Sequence, residues 1–224
     1  AYTYRGGRRK RTAPEQSSFL TRHQVGAMLQ AASFAEKIGV DLNCHVTVDF
    51  PAGIDETAIP KLIAAALKAW KQWVRRQTSG SGITAYIWAR ERRADQASHV
   101  HLVLHVPPEL RGRVTASRFT AFFPDEGGLR QLIIDDNAAR NSGTPVLVQH
   151  NTSHQPRFVR YIAKGLERTA YAELPEIDRP SPQGRITGKR FGISENIGQI
   201  ERQRWRLEER IWGGDKARGW WLER

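Results

Sequence analysis

Two histidines separated by a single valine, His99 and His101, stand in a run that alternates polar and apolar side chains from Ser98 until Pro107 closes it. Such alternation is the signature of a β-strand, whose side chains point to opposite faces in turn. His99, His101, Val103 and His105 then share one face, and Val100, Leu102, Leu104 and Val106 the other. The expectation is a strand with one chemical face and one core face. Neutral imidazoles are good ligands for divalent cations, and two on one face leave coordination positions open for a carboxylate and a substrate. His105, two strand steps further along, is expected to support the site or touch substrate rather than ligate.

The carboxylate comes from the preceding strand. Residues 83–92 form a second alternating run, and the intervening 93–97 segment is short enough for an antiparallel hairpin. A turn centred near Asp95 pairs Glu91 with His99 and Ala89 with His101. Paired residues share a face, so Glu91 joins the imidazoles as a third ligand. A register shifted by one residue would send it to the other side.

A second reactive group lies downstream. Residues 156–168 are expected to be helical, with Pro156 suited to the first helical position. At helical spacing Phe158, Val159, Ile162 and Leu166 fall on one arc, while Tyr161, Lys164, Arg157 and Arg168 fall on another. A helical tyrosine is more often an amphipathic core residue than a nucleophile. Here the core arc is already filled, and Tyr161 sits beside it among cations, which favour the nucleophilic phenolate. A metal on His99, His101 and Glu91 would polarise a phosphodiester, Tyr161 would attack phosphorus, and Lys164 would stabilise the charge or position the phosphate.

The rest of the chain supplies the frame. Residues 18–38 read as a helix, 42–50 as the first strand and 57–77 as a strongly amphipathic helix. Residues 108–123 are expected to be helical, 129–139 are weakly patterned, and 146–149 form a short strand. A Pro/Gly-rich loop is expected over 174–188, a basic turn over 188–192 and a last helix over 197–211. Three regions are expected: a flexible basic arm (1–17), a nuclease-like domain (18–173), and a loop with a C-terminal helical extension (174–224).

Charge narrows the partners. The 224 residues carry 35 Lys and Arg against 23 Asp and Glu, a formal net charge of +12, so polyanions are expected on the surface. Arg157, Arg160, Arg168, Lys189 and Arg190 are the candidate DNA contacts. The C-terminal tryptophans interleaved with arginines fit single-strand stacking, and equally fit docking of the last helix on the sheet. No apolar run approaches the about 20 residues of a membrane span. No apolar signal segment opens the sequence, and a lone cysteine, Cys44, excludes an intramolecular disulfide. A cytoplasmic location is expected, in a bacterial host, or the nucleus for an element of a eukaryotic virus.

The residues resemble the HUH endonucleases, named for two histidines flanking a hydrophobic residue. His99-Val100-His101 matches that motif, Glu91 the upstream acidic ligand of viral-type initiators, and Tyr161-Ile162-Ala163-Lys164 the downstream Tyr-x-x-Lys nucleophile motif. The resemblance covers about residues 40–170. It implies an α+β fold with a central antiparallel sheet flanked by helices, and Mn2+- or Mg2+-dependent nicking of single-stranded or hairpin origin DNA, with Zn2+ ranked behind. It also implies a 5′-phosphotyrosine intermediate, as in single-tyrosine rolling-circle replication initiators. No Walker A sequence is present, so any helicase would act in trans. Tyr171 is too far from Tyr161 for a two-tyrosine initiator. A conjugative relaxase, which would use Tyr2 or Tyr4, and a transposase are the alternatives within the superfamily. A metal-activated-water hydrolase and a non-catalytic DNA-binding regulator are those outside it.

Overall fold

The structure, a computed structural model, describes residues 16–92, 98–125, 128–131, 133, 146–151, 155–175, 177 and 184–212. Residues 1–15 of the expected basic arm, the hairpin tip at 93–97 and the last twelve positions from 213 lie outside them, whereas the arm's last two residues, Gln16 and Ser17, pair as a strand with Thr187 and Ile186.

In chain order the elements are β1 (Gln16–Ser17), α1 (Arg22–Lys37), β2 (Cys44–Asp49), α2 (Ile59–Gln77), β3 (Tyr86–Arg92), β4 (Ser98–Leu104), α3 (Ala116–Thr120), β5 (Val146–His150), α4 (Pro156–Ile162), β6 (Ile186–Thr187), β7 (Phe191–Ile193) and α5 (Gln199–Trp212). The protein is α+β. Five strands in the order β5-β2-β4-β3-β7, all antiparallel to their neighbours, make the central sheet. β1 and β6 form a separate two-stranded ribbon.

The helices start where local chemistry starts them. Thr21 caps α1 in a reciprocal box: its Oγ1 accepts the Gln24 N–H at 3.3 Å, and Gln24 Oε1 accepts the Thr21 N–H at 2.9 Å. α2 has proline in its first turn and buries Ile59, Ile63, Ala66, Leu67, Trp70 and Val74, the stripe expected from its spacing.

Both faces of the sheet carry a core. α2 and α3 cover the face of Val46, Val48, Val100, Leu102 and Leu104. α1 and α4 cover Ile87, Ala89 and Val103 on the histidine face. That face is therefore not chemical throughout, since Val103 is fully buried and the polar cluster is confined to one end of the strands.

Three expectations change. Residues 108–123 do not form one helix. A 3-10 turn over Pro108–Arg113 is followed by the short α3, because Thr115 goes extended and its Oγ1 caps the Arg118 N–H at 3.2 Å. The tyrosine helix stops at Ile162 rather than running to 168. Leu20 captures the following backbone: its N–H donates to the Gly165 carbonyl at 2.6 Å, and its own carbonyl accepts the Glu167 N–H at 2.9 Å. The expected basic turn over 188–192 ends in a strand, β7, which pairs with β3. Gly192 disguised it. A Cβ there would collide with the Trp88 indole packed over it, so the strand needs its residue of weakest strand preference.

Candidate metal centre

β3 and β4 pair in the expected register, Glu91 opposite His99 and Ala89 opposite His101. This brings the Glu91 carboxylate among the imidazoles. His99 Nε2 lies 3.0 Å from Glu91 Oε2 and His101 Nε2 lies 3.5 Å from the same oxygen. One ligand atom from each of Glu91, His99 and His101 falls within 4.8 Å of the others. A buried Glu/His/His group of this kind could hold a metal ion.

The electrostatics fit a cation. Burial by itself raises the Glu91 carboxyl, but the adjacent His101 and His99 imidazoles and the charge of Lys164 outweigh it and hold the group well below the usual carboxylate range. Burial pushes His101 down against the pull of Glu91, which keeps the ring neutral. The His101 Nε2 atom is buried without a hydrogen-bond partner, although it faces the carboxylate. A buried nitrogen left in that condition has an energetic reason to bind an ion.

The other side of the His101 ring is occupied. Thr47 Oγ1 lies 2.9 Å and His45 Nε2 3.3 Å from His101 Nδ1, and His45 Nδ1 lies 3.3 Å from Gln149 Oε1. With the His45 Nδ1–H donating to Gln149 and the His101 Nδ1–H donating to Thr47 and His45, the His101 Nε2 lone pair is left on the Glu91 side, where a cation and not another acceptor would satisfy it. Burial, reinforced by His101, pushes His45 down to about 4, so it remains a neutral acceptor. Sequence reasoning passed over His45 and Thr47. Their signal was the alternation of β2, which places His45, Thr47 and Asp49 on the histidine face, with Thr47 opposite His101.

Tyr161 and Lys164 reach the same cluster. The Tyr161 ring, 38% exposed, stands edge-on to His101 with centroids 5.2 Å apart and to His45 at 5.7 Å. Lys164 sits in the turn that replaces the end of the expected helix. Its Nζ lies 3.1 Å from Glu91 Oε2 and 3.8 Å from the Tyr161 ring centroid, so one ammonium joins the carboxylate to the phenol ring. Cys44, the single thiol, offers no competing nucleophile, because burial pushes it up to about 12.

The remaining expected residues divide. Arg157, Arg160, Arg168 and Lys189 are exposed, with the Arg157 guanidinium over Phe158 and the Lys189 ammonium over Trp88. Arg190 is not a surface contact. It is 3% exposed, its Nε donates to Ser17 Oγ at 2.9 Å, and its Nη2 donates to the Gly184 carbonyl at 2.7 Å and to the Ser17 carbonyl. Its charge is used to tie the β1–β6 ribbon to β7. His105 is not brought to the cluster either: its Nδ1–H donates to the Asp41 carbonyl at 2.8 Å, beyond the end of β4. Of the C-terminal tryptophans, Trp205 is a docking residue, buried edge-on against Phe34 of α1.

Fold and site together define an α+β domain with a candidate metal centre beside a tyrosine and a lysine. In comparisons with known proteins, no protein-family model and no curated protein matches the chain. Among the described residues, no helix is long and apolar enough to cross a membrane.

Proposed function

We propose that the protein nicks and rejoins single-stranded DNA through a covalent tyrosyl phosphodiester, as an initiator of rolling-circle replication of a mobile element. The observation that carries the reading is the position of Lys164, which touches Glu91 of the candidate metal group and the Tyr161 ring at once. Oxygen and nitrogen donors in this set suit Mn2+ or Mg2+, with Glu91, His99 and His101 as the ligands. A bound divalent ion would supply Lewis-acid polarisation of the phosphodiester.

The chain's own residues do the rest. Tyr161 Oη bonds to phosphorus as the P–O3′ bond breaks, the phenol releases its proton, and the leaving 3′ oxygen takes one up. The 5′ phosphate stays esterified to the tyrosine, and the reverse reaction reseals the strand without another energy source. Lys164 offsets negative charge on the phosphate and holds the phenol ring against the cluster. The neutral His45 and Thr47 behind His101 keep its ligating nitrogen aimed inward. Exposed Arg157 and Arg160 on α4 would contact neighbouring phosphates.

The test is an incubation with a 3′-labelled random pool of single-stranded oligonucleotides and Mn2+. A labelled band at the protein's mass is expected from wild type and none from Tyr161→Phe. Labelled free ends without an adduct would instead assign a water nucleophile, and binding without cleavage would assign a regulator.

A further inference from the structure

α1 and α5 do not close completely over the sheet. Between them lies a cavity of about 510 Å3 lined by Gln30, Gln199, Gln203, Arg202 and Arg206, with Phe191 of β7 also in its wall. The size falls in the range of about 300–1,000 Å3 typical of ligand clefts. A second hollow continues along the same two helices toward Lys37 and Trp205 and shares Gln30, Arg202 and Arg206.

The lining is chemically one-sided. Its residues include no carboxylate, and the one that lines the second hollow, Glu209, is paired with Lys37 at 2.5 Å. Arg202 and Arg206 stand one helical turn apart on α5, where like charges repel. Arg202 is fixed, since its Nη1 donates to the Ile197 carbonyl at 2.9 Å and the residue is only 7% exposed. The side chains of Gln30, Gln199 and Gln203, all exposed, make no hydrogen bond among the described residues, so three amides, each donor and acceptor at once, face the cavity open to a ligand. The wall is open at Gly26, where a Cβ would meet nothing within 4 Å.

The cavity also has a defined position relative to the candidate metal centre. Phe191 pairs with Ala89, and Ala89 with His101, so the three share one row of the sheet. Two interstrand steps place Phe191 about 10 Å from His101. That is a spacing of one or two nucleotides along an extended strand.

We infer that this groove binds unpaired nucleotides of the DNA strand flanking the scissile phosphate. The amides take base edges, Arg206 takes a phosphate, and Phe191 offers its ring to a base. The inference rests on the nicking reading for its choice of polyanion, but it makes separate demands. An acidic peptide would satisfy the arginines and leave the amides unspecific, whereas a base uses both their donors and their acceptors.

The test is fluorescence anisotropy with the full chain in EDTA, where no covalent step occurs, using a labelled oligothymidylate and an abasic strand of the same length. Gln30→Ala with Gln203→Ala should weaken oligothymidylate binding about fivefold for each hydrogen bond lost and leave the abasic strand unchanged. Arg206→Gln should weaken both and flatten the salt dependence by about 0.7 in log-log slope. These positions are helix-surface residues, and circular dichroism confirms that the variants are folded. Wild-type affinity in both variants, equal loss on both strands in the double glutamine variant, competition by polyglutamate as effective as DNA, or no DNA binding by wild type would each overturn the groove. A groove variant that keeps binding like wild type yet forms the Tyr161 adduct sinks the groove alone. Unchanged Tyr161→Phe binding with no adduct from wild type sinks the nicking reading alone.

Discussion

His45 Nε2 lies 3.3 Å from His101 Nδ1, and the two rings are tilted 33° to one another with centroids 5.3 Å apart. The contact makes His45 a positioning residue for a candidate ligand on the neighbouring strand. Replacement by phenylalanine keeps the packing against Phe158 and removes the acceptor. Isothermal titration with Mn2+ should show affinity lower by about 10–100-fold in His45→Phe. Affinity equal to wild type would remove His45 from the site.

The Lys164 ammonium competes with any cation for the Glu91 carboxylate, from 3.1 Å. Lys164→Met should therefore bind Mn2+ more tightly than wild type while forming tyrosyl adduct more slowly. Binding and activity move in opposite directions only if Lys164 acts on both groups. A parallel loss of both would mean that the lysine merely holds the turn.

The opposite face of β3 carries a structural ion pair. Arg90 is fully buried, and its guanidinium meets the carboxylate and the carbonyl of Glu56 as well as the carbonyls of Thr187 and Lys189. Ser98 Oγ donates to the other Glu56 oxygen at 2.6 Å, which ties the start of β4 to the same anchor. Removing the carboxylate strands a buried cation, so Glu56→Ala should lose about 3–5 kcal/mol in urea unfolding. A loss below about 1 kcal/mol, the range of exposed pairs, would contradict this.

His105 makes stability depend on pH. Burial lowers its pKa from 6.5, against the raising effect of the Asp41 carbonyl. A group lowered in the folded state contributes fully above its unfolded value. As pH falls below about 6.5, the unfolded chain takes up a proton that the folded chain refuses, and that contribution is lost. The difference in urea midpoint between wild type and His105→Gln should therefore shrink as pH drops from 7 toward 5. A constant difference would mean that His105 protonates freely in the fold.

The sequence made the local half of this site legible. Glu91, His99 and His101 come from one short hairpin whose alternation and loop length pointed to the register that β3 and β4 adopt, although a one-residue slip would have reversed the face of Glu91. The non-local half was hidden. His45 reaches His101 only because β2 pairs with β4, a long-range pairing that strand propensity does not announce. Arg190 looked like a DNA contact because nothing local shows that the carbonyls of Ser17 and Gly184 will surround it. The end of α4 was misplaced for the same reason, since Leu20 takes the backbone bonds that would have continued the helix. In each case tertiary hydrogen bonding overrode a periodicity that was real but incomplete.

In the proposed reaction Tyr161 becomes esterified to DNA at a divalent-ion centre built from Glu91, His99 and His101. Mass spectrometry of peptides from wild-type protein incubated with single-stranded DNA and Mn2+, then digested with nuclease, measures this directly. A nucleotide remnant is expected on the peptide containing Tyr161, absent in EDTA and in His99→Ala with His101→Ala. A remnant on another residue, or one that forms equally well in EDTA, would contradict it.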